Sequence, residues 1–226
     1  MARANSRNPG VFSAAFVVRA AIVIVIVAGL LLGERRFPFF TSQSNLIALG
    51  YFVTTLVLMV QRRAPAAPAP RLRAAVTFWL LTTALISHFL NNHGESPIPG
   101  LLDPNPIVAI DNTGLFLLHY VSPALVLLDW LVFGPHGIVR WRDTLLWLLF
   151  PIGYGVVMIT RGMLLPDVND RWPYPFLDPT TAGVAGMIPA LGRVVLILAA
   201  IALAVVALDR LAWALTRRRV SAAAAG

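Results

Sequence analysis

The sequence predicts an all-α fold: a polytopic membrane bundle of six transmembrane helices with both chain ends on the cytoplasmic side. Three observations carry this. Of the 226 residues, 58% are hydrophobic and only 12% are charged, against about 25% charged in soluble domains, and the mean hydropathy is +0.77. Six apolar runs are present, each close to the ~20 residues that a bilayer core requires. The net charge of +8 comes entirely from arginine, since the chain has no lysine, and the arginines cluster in alternate gaps between the runs.

The first run covers about 11–32. It contains Arg19, and Gly33-Glu34-Arg35-Arg36 follows it where a cleavable signal would show small residues. A retained helix is therefore expected. The second run, 39–60, starts just after Pro38, and the third covers 74–92. Between them lies the Pro/Ala linker 64–70, which is expected to be extended. The fourth run is 113–133, the fifth 144–162 and the sixth 184–210. Two longer loops remain. The segment 93–111 holds four prolines and three acidic residues. The segment 163–181 holds Asp167, Asp170 and Asp178 with the aromatic string Trp172-Pro173-Tyr174-Pro175-Phe176. These loops fit either a cover over a pocket or an interfacial aromatic belt with its connector.

Six helices put the two termini and the second and fourth loops on one side. That side carries twelve arginines: Arg3, Arg7, Arg62, Arg63, Arg71, Arg73, Arg140, Arg142, Arg210, Arg217, Arg218 and Arg219. The other carries four: Arg35, Arg36, Arg161 and Arg171. Arg19 and Arg193 fall within runs. Positive charge accumulates in cytoplasmic loops, so the expected location is the cell membrane with cytoplasmic termini. A high isoelectric point can also indicate nucleic acid, but these arginines form no single stripe, and no nucleic-acid partner is expected.

The chain has no cysteine, which excludes disulfides, thiolate nucleophiles and iron–sulfur ligation. Its histidines are His88, His93, His119 and His136, and none lies in an HExxH spacing. No metal or cofactor is expected.

Polar side chains in lipid normally face the bundle interior. Here they gather toward the less basic end. The second run opens with Thr41-Ser42-Gln43-Ser44-Asn45. The third ends with His88, Asn91, Asn92 and His93. The fourth contains Asn112, Thr113, His119, Ser122 and Asp129, and the fifth contains Tyr154 and ends at Arg161. At 100° per residue, Asn112, His119, Ser122 and Asp129 lie within about 100° of one another. Pro123 cannot donate to the carbonyl of His119, so a bend is expected there. With the fourth helix starting near 113, His119 lies about 10 Å into it. Each residue also has a plainer role. Thr41 fits a helix cap, and His119, Ser44 and Asn45 fit interhelical hydrogen bonding. His88 fits a packed neutral histidine, Arg161 an interfacial cation, and Asp129 a partner for an arginine such as Arg140, or for a loop.

Three stretches together resemble a known family. They are Phe40-Thr41, the segment from Asn112 through His119 to Pro123, and Trp172-Pro173-Tyr174-Pro175-Phe176-Leu177-Asp178. They are similar to the androgen-induced and androgen-dependent TFPI-regulating proteins, and more closely to a bacterial branch of six-helix proteins. The resemblance implies a multi-pass membrane threonine hydrolase acting on fatty acid esters of hydroxy fatty acids or similar lipid esters. It places the nucleophile at Thr41 and the base at His119. It leaves supporting roles for Gln43, Ser44, Asn45, His88, Asn91, Asn92, Asn112, Ser122, Tyr154, Arg161 and Tyr174. The backbone N–H groups of Ser42 and Gln43, or the side chains of Gln43 and Asn45, are expected as oxyanion donors, with His88 or Asn91 orienting the imidazole. The implied partner is a lipid substrate entering from the bilayer.

Two other readings fit the residues. One is a small-molecule or ion transporter, favoured by the polar stripe and the interruptions at Pro123 and Pro151. The other is a non-enzymatic scaffold subunit, with Gly153 and Gly155 as a helix-packing face.

Overall fold

A computed structural model describes residues 13–33 and 37–225, with side chains described through 217. The expectations for Arg3, Arg7, residues 11 and 12, Glu34, Arg35, Arg36 and the side chains of Arg218 and Arg219 lie outside the described residues. Within them the chain is helical, without a strand. Six helices are long and apolar enough to cross a membrane. The helices are α1 (Ala14–Leu32), α2 (Phe40–Arg62), α3 (Pro70–Asn91), the one-turn α4 (Ile98–Leu101), α5 (Pro106–Val132), α6 (Asp143–Leu164) and α7 (Pro179–Ala225). Large apolar side chains such as Ile24, Leu31, Leu145 and Leu196 point outward, as in a bundle solvated by lipid.

Several helices start earlier than the apolar runs indicate, because the starts are set by capping. Asn105 accepts from the N–H of Ile107 at 3.0 Å, and Pro106 takes the first position of α5. A first-position proline lacks only a donor that would have had no partner anyway. Pro70 opens α3 in the same way. Asp178 accepts from the N–H of Thr180 at 2.7 Å and from the hydroxyls of Thr180 and Thr181. It thereby starts α7 five residues before the sixth apolar run. These hydrogen bonds, the Thr180 hydroxyl's first, hold the Asp178 carboxyl below the usual carboxylate range. The backbone then breaks at Ala182 and Gly183, where Gly183 takes a φ of +65°.

Two helices widen locally into π turns. In α5 the wide turn spans Leu117–Val121, and the N–H of Ser122 reaches back five residues to the carbonyl of Leu117. In α3 it spans Ser87–Asn91, where the N–H of Asn92 bonds the carbonyl of Ser87 at 2.9 Å. Pro123 supplies the reason in α5: its ring has no N–H for the carbonyl of His119 and would crowd it in a regular turn. The expected bend is thus met by an inserted wide turn, a form often found at functional sites.

α3 is the central helix and the most buried span. It packs on α2, α5, α6 and α7, while α1 packs on α2 and α5. The closest crossing is made by glycines. A Cβ on Gly114 of α5 would collide with the backbone of Gly33, and one on Gly29 would lie 2.7 Å from the Leu118 side chain. Gly29 and Gly33 form a small-xxx-small pair that lets α5 approach the end of α1. The expected packing face at Gly153 and Gly155 is not one. Nothing lies within 4 Å of a Cβ on Gly153, and Gly155 meets only Leu177 at 3.9 Å. Gly114→Ala should therefore lose ~1–3 kcal/mol or more, since backbone cannot yield cheaply. Gly153→Ala should be neutral or gain up to about 1 kcal/mol of helix propensity. Thermal midpoints of the two variants in detergent check the contrast.

At the opposite end the fold is clamped by charge. Asp129, fully buried, receives Arg19 Nε at 2.8 Å and lies 3.5 Å from Arg73 Nη1. Arg19 also donates to the carbonyl of Pro65 at 2.7 Å, and Arg73 to that of Gly134 at 2.6 Å. One carboxylate thus ties α1, α3 and α5 to the 63–69 linker. This replaces Arg140, the example of an arginine expected opposite Asp129, with Arg19 and Arg73. It also moves Arg73 from a loop into the core, because α3 begins at Pro70.

Candidate functional site

Thr41 lies in the first turn of α2, with Phe39 as the capping position. It is not the cap itself. Its hydroxyl sits 3.0 Å from Nε2 of His119 on the wide turn of α5. The other ring nitrogen, Nδ1, lies 2.9 Å from the carbonyl oxygen of Leu115. A carbonyl only accepts, so Nδ1 carries a hydrogen, and in the neutral ring Nε2 is then the acceptor. The Thr41 hydroxyl therefore donates to His119 Nε2. This is the geometry of a hydroxyl nucleophile paired with a base whose second nitrogen is oriented by a third group.

α5 starts at Pro106, so His119 lies thirteen residues into it, or about 20 Å along its axis. At this end of the bundle α5 extends beyond the start of α2, which is how a residue deep in α5 meets one in the first turn of α2.

The backbone at Thr41 is held from below. Its carbonyl accepts from Asn45 Nδ2 at 2.9 Å and from Ser44 Oγ at 3.1 Å. Asn45 also donates to the carbonyl of Leu118 at 3.3 Å and accepts from Ser122 Oγ at 2.7 Å. Ser44 bridges to Thr83 of α3 at 3.1 Å. Ser44, Asn45 and Ser122 are thus buried connectors that lock α2 to α3 and α5 beneath the Thr–His pair.

This assignment corrects three of the four expected oxyanion donors and leaves the N–H of Ser42. Asn45 Nδ2 is committed to two carbonyls. The N–H of Gln43 bonds the carbonyl of Phe39 at 3.3 Å, and Gln43 Nε2 lies 3.4 Å from that of Phe37. His88 does not orient His119. It faces the Tyr120 hydroxyl at 3.3 Å, which also accepts from Asn92 at 3.2 Å. Asn91 is exposed and lines the cavities. Asn112 donates to the carbonyl of Gly100 at 2.9 Å and anchors α4 instead of reaching the site. Arg161 holds the carbonyls of Asn169 and Asp170, each at 3.0 Å, in the loop after α6.

Two cavities meet at the pair. The first, about 190 Å³, is almost wholly apolar. It runs from Thr41 and His119 past Ile86, Pro151 and Ile159 to the seam between α6 and α7. There the lining residues Ile152, Val156 and Val195 are exposed on the outside of the bundle. The second, about 300 Å³, is more polar. It lies between the end of α1, the middle of α5 and the loop at Pro173–Pro175. Thr41, Ser87, Asn91, His119 and Tyr174 border both.

Tyr174 closes the junction. Its ring stacks on Phe176 with centroids 5.2 Å apart and meets Phe39 and Tyr154 edge-on. The Tyr154 hydroxyl in turn donates to the carbonyl of Pro38 at 2.8 Å, fixing the approach to α2. Burial pushes the Tyr174 phenol up to about 12, against hydrogen bonds with the Thr41 hydroxyl and the backbone at Phe40 and Thr41 that lower it. At neutral pH Tyr174 is thus an uncharged O–H donor over the first turn of α2. Sequence reading missed the Leu115 carbonyl and the residues Thr83 and Ser87. The last two lie four residues apart, on one face of α3, and that spacing was a usable signal. No group of three or more His, Cys, Asp or Glu able to hold a metal occurs among the described residues.

No family model, curated protein or solved structure matches this chain.

Proposed function

We propose that the protein is an intramembrane hydrolase of lipid esters, with Thr41 as nucleophile and His119 as base. The observation that carries this reading is the Thr41–His119 hydrogen bond, with the Leu115 carbonyl setting the tautomer. In the first half-reaction, Thr41 Oγ1 bonds to the ester carbonyl carbon and its proton passes to His119 Nε2. The carbonyl oxygen becomes an oxyanion. Its collapse breaks the bond to the alcohol oxygen, which leaves with the proton from His119. In the second, His119 takes a proton from water, the hydroxide attacks the acyl-threonine, and the Thr41 oxygen regains the proton as the acid departs.

The oxyanion forms at the positive end of α2, where first-turn N–H groups lack helical partners. Tyr174 is the second donor, a neutral O–H at the same point. The apolar cavity suits an acyl chain, and its seam between α6 and α7 suits lateral entry from lipid. The test is covalent capture. A fluorophosphonate probe should label the protein in detergent, and peptide mapping should place the adduct on Thr41. An adduct elsewhere, or labelling that survives Thr41→Ala, would sink the reading.

We also propose that the arginine-rich end faces the cytoplasm and that the Thr41 end opens toward the outer leaflet of the cell membrane. The support is the distribution of arginines between the two ends of the spans. Since the chain has no cysteine, single cysteines can report the topology. In intact cells, an impermeant maleimide should label Asp167→Cys and leave Arg63→Cys unlabelled. The opposite pattern would invert the orientation.

A further inference from the structure

The arginine-rich end carries a feature that the ester-hydrolase reading does not use. Between the start of α3 and the 137–140 loop lies an open groove of about 660 Å³, bordered by Arg71, Arg140 and Arg210. The loop gathers the guanidiniums. Arg71 Nε reaches the carbonyl of Ile138 at 3.4 Å, and Arg210 Nη2 that of Val139 at 3.4 Å. Each guanidinium has five donors, so these long contacts leave most of them available.

The nearby carboxylates offset only part of the groove's charge. Asp209 is fully buried and turned inward, where Oδ2 accepts from the N–H groups of Gly137 at 2.9 Å and Val139 at 3.2 Å. Its other oxygen faces His136 Nδ1 at 3.5 Å. Asp143, also buried, accepts from the N–H of Arg140 at 2.9 Å and forms a long ion pair with Arg71 at 3.7 Å, while Arg140 and Arg210 have no carboxylate partner among the described residues. The acids thus brace the loop from inside while the cations face out.

The position of the groove selects its ligand. Leu72, on its rim, is exposed. Trp141 follows Arg140, and Trp213 packs on Gly137. Both indoles are about half exposed. Exposed tryptophans at the ends of spans sit at headgroup depth. A site at that depth with three cations and an apolar rim matches a charged head that carries acyl chains. We propose that this groove binds the phosphodiester of an anionic phospholipid.

Native mass spectrometry of the full-length protein in detergent tests this, with phosphatidylglycerol, phosphatidylcholine of the same chains, and inorganic phosphate as probes. Phosphatidylglycerol should be retained in preference to phosphatidylcholine. The triple variant R71Q/R140Q/R210Q should weaken that retention about 100-fold, at about 1 kcal/mol per arginine. The control R62Q/R63Q/R142Q removes equal charge from the same end but from outside the groove, and should weaken it far less than the first triple does. Equal losses in both triples would show diffuse charge attraction and overturn the site. No preference between the lipids would also overturn it. Displacement of the lipid by millimolar inorganic phosphate would make it a site for soluble phosphate instead. Should the triple variant not fold, a photoactivatable phosphatidylglycerol on the wild-type protein decides. Crosslinks at 69–72 and 137–141 support the site, and crosslinks elsewhere refute it.

Discussion

His119→Ala should lower the turnover of a lipid ester by about 10²–10⁴-fold, the usual contribution of a positioned general base. Thr41→Ala should lower it at least as far, because it removes the atom that bonds to the acyl carbon. The two losses should not add. The hydroxyl and the imidazole act as one unit at 3.0 Å, and removal of either member of such a unit costs nearly as much as removal of both. The double variant should thus resemble Thr41→Ala alone. Thr41→Ser keeps the hydroxyl and should retain measurable activity. His119→Gln distinguishes proton transfer from positioning, since its amide can still meet the threonine but cannot take a proton at this step. Asn112→Ala provides the contrast. Asn112 bonds Gly100 and not the pair, so its loss should affect the α4 loop more than the chemical step. The measurements are kcat and KM on an ester dispersed in detergent. Full activity in Thr41→Ala would end the proposal.

Asp129→Ala should be the most destabilising substitution in the chain, costing ~3–5 kcal/mol. Two guanidiniums, Arg19 and Arg73, converge on this one carboxylate inside the bundle, and all three side chains are essentially inaccessible. Removing the acid leaves two like charges buried and unneutralised. Breaking a buried pair in this way costs far more than the pair contributes when intact. The cluster already carries surplus positive charge. Arg19 Nη2 and Arg73 Nε are buried and have no hydrogen-bond partner among the described residues. The triple change Arg19→Met, Arg73→Leu and Asp129→Leu removes every charge together and should recover much of the loss. Thermal midpoints in detergent check the order, with Asp129→Ala falling on the order of 10 °C below wild type and the triple variant lying between. A midpoint unchanged in Asp129→Ala would mean that the clamp is not structural.

The legible part of the candidate site was a list of residues, and the illegible part was their pairing. Thr41, His119, Ser122 and Asp129 each stand out as polar groups within apolar runs, which reads directly from the chain because lipid tolerates such groups only where they have partners. Their partners do not read in the same way. The supposed single stripe of α5 serves three neighbouring helices: Asn112 meets Gly100 of α4, His119 and Ser122 meet Thr41 and Asn45 of α2, and Asp129 meets Arg19 of α1. An inserted wide turn at Leu117–Val121 changes the helical phase between the first of these and the rest, and a 100° wheel assumes that no such insertion exists. The reading of Gly153 and Gly155 failed for a related reason. Glycine frees a face for packing only where another backbone comes close, and that happens at Gly29, Gly33 and Gly114.

The helical class, the six spans and the asymmetry of arginine were determined by the sequence alone. Each follows from local properties: the length of an apolar run against the thickness of a bilayer, and the sign of charge in the gaps. The starts of α5 and α7 were local too, since Asn105-Pro106 and Asp178 are capping signals, although hydropathy outweighed them. The tertiary structure alone decided that residues 78 positions apart, Thr41 and His119, share a hydrogen bond, that Leu115 selects the imidazole tautomer, and that Asp129 holds two arginines instead of one. These depend on the rotation and depth of each helix, which the combined packing of all six spans sets and no single segment encodes.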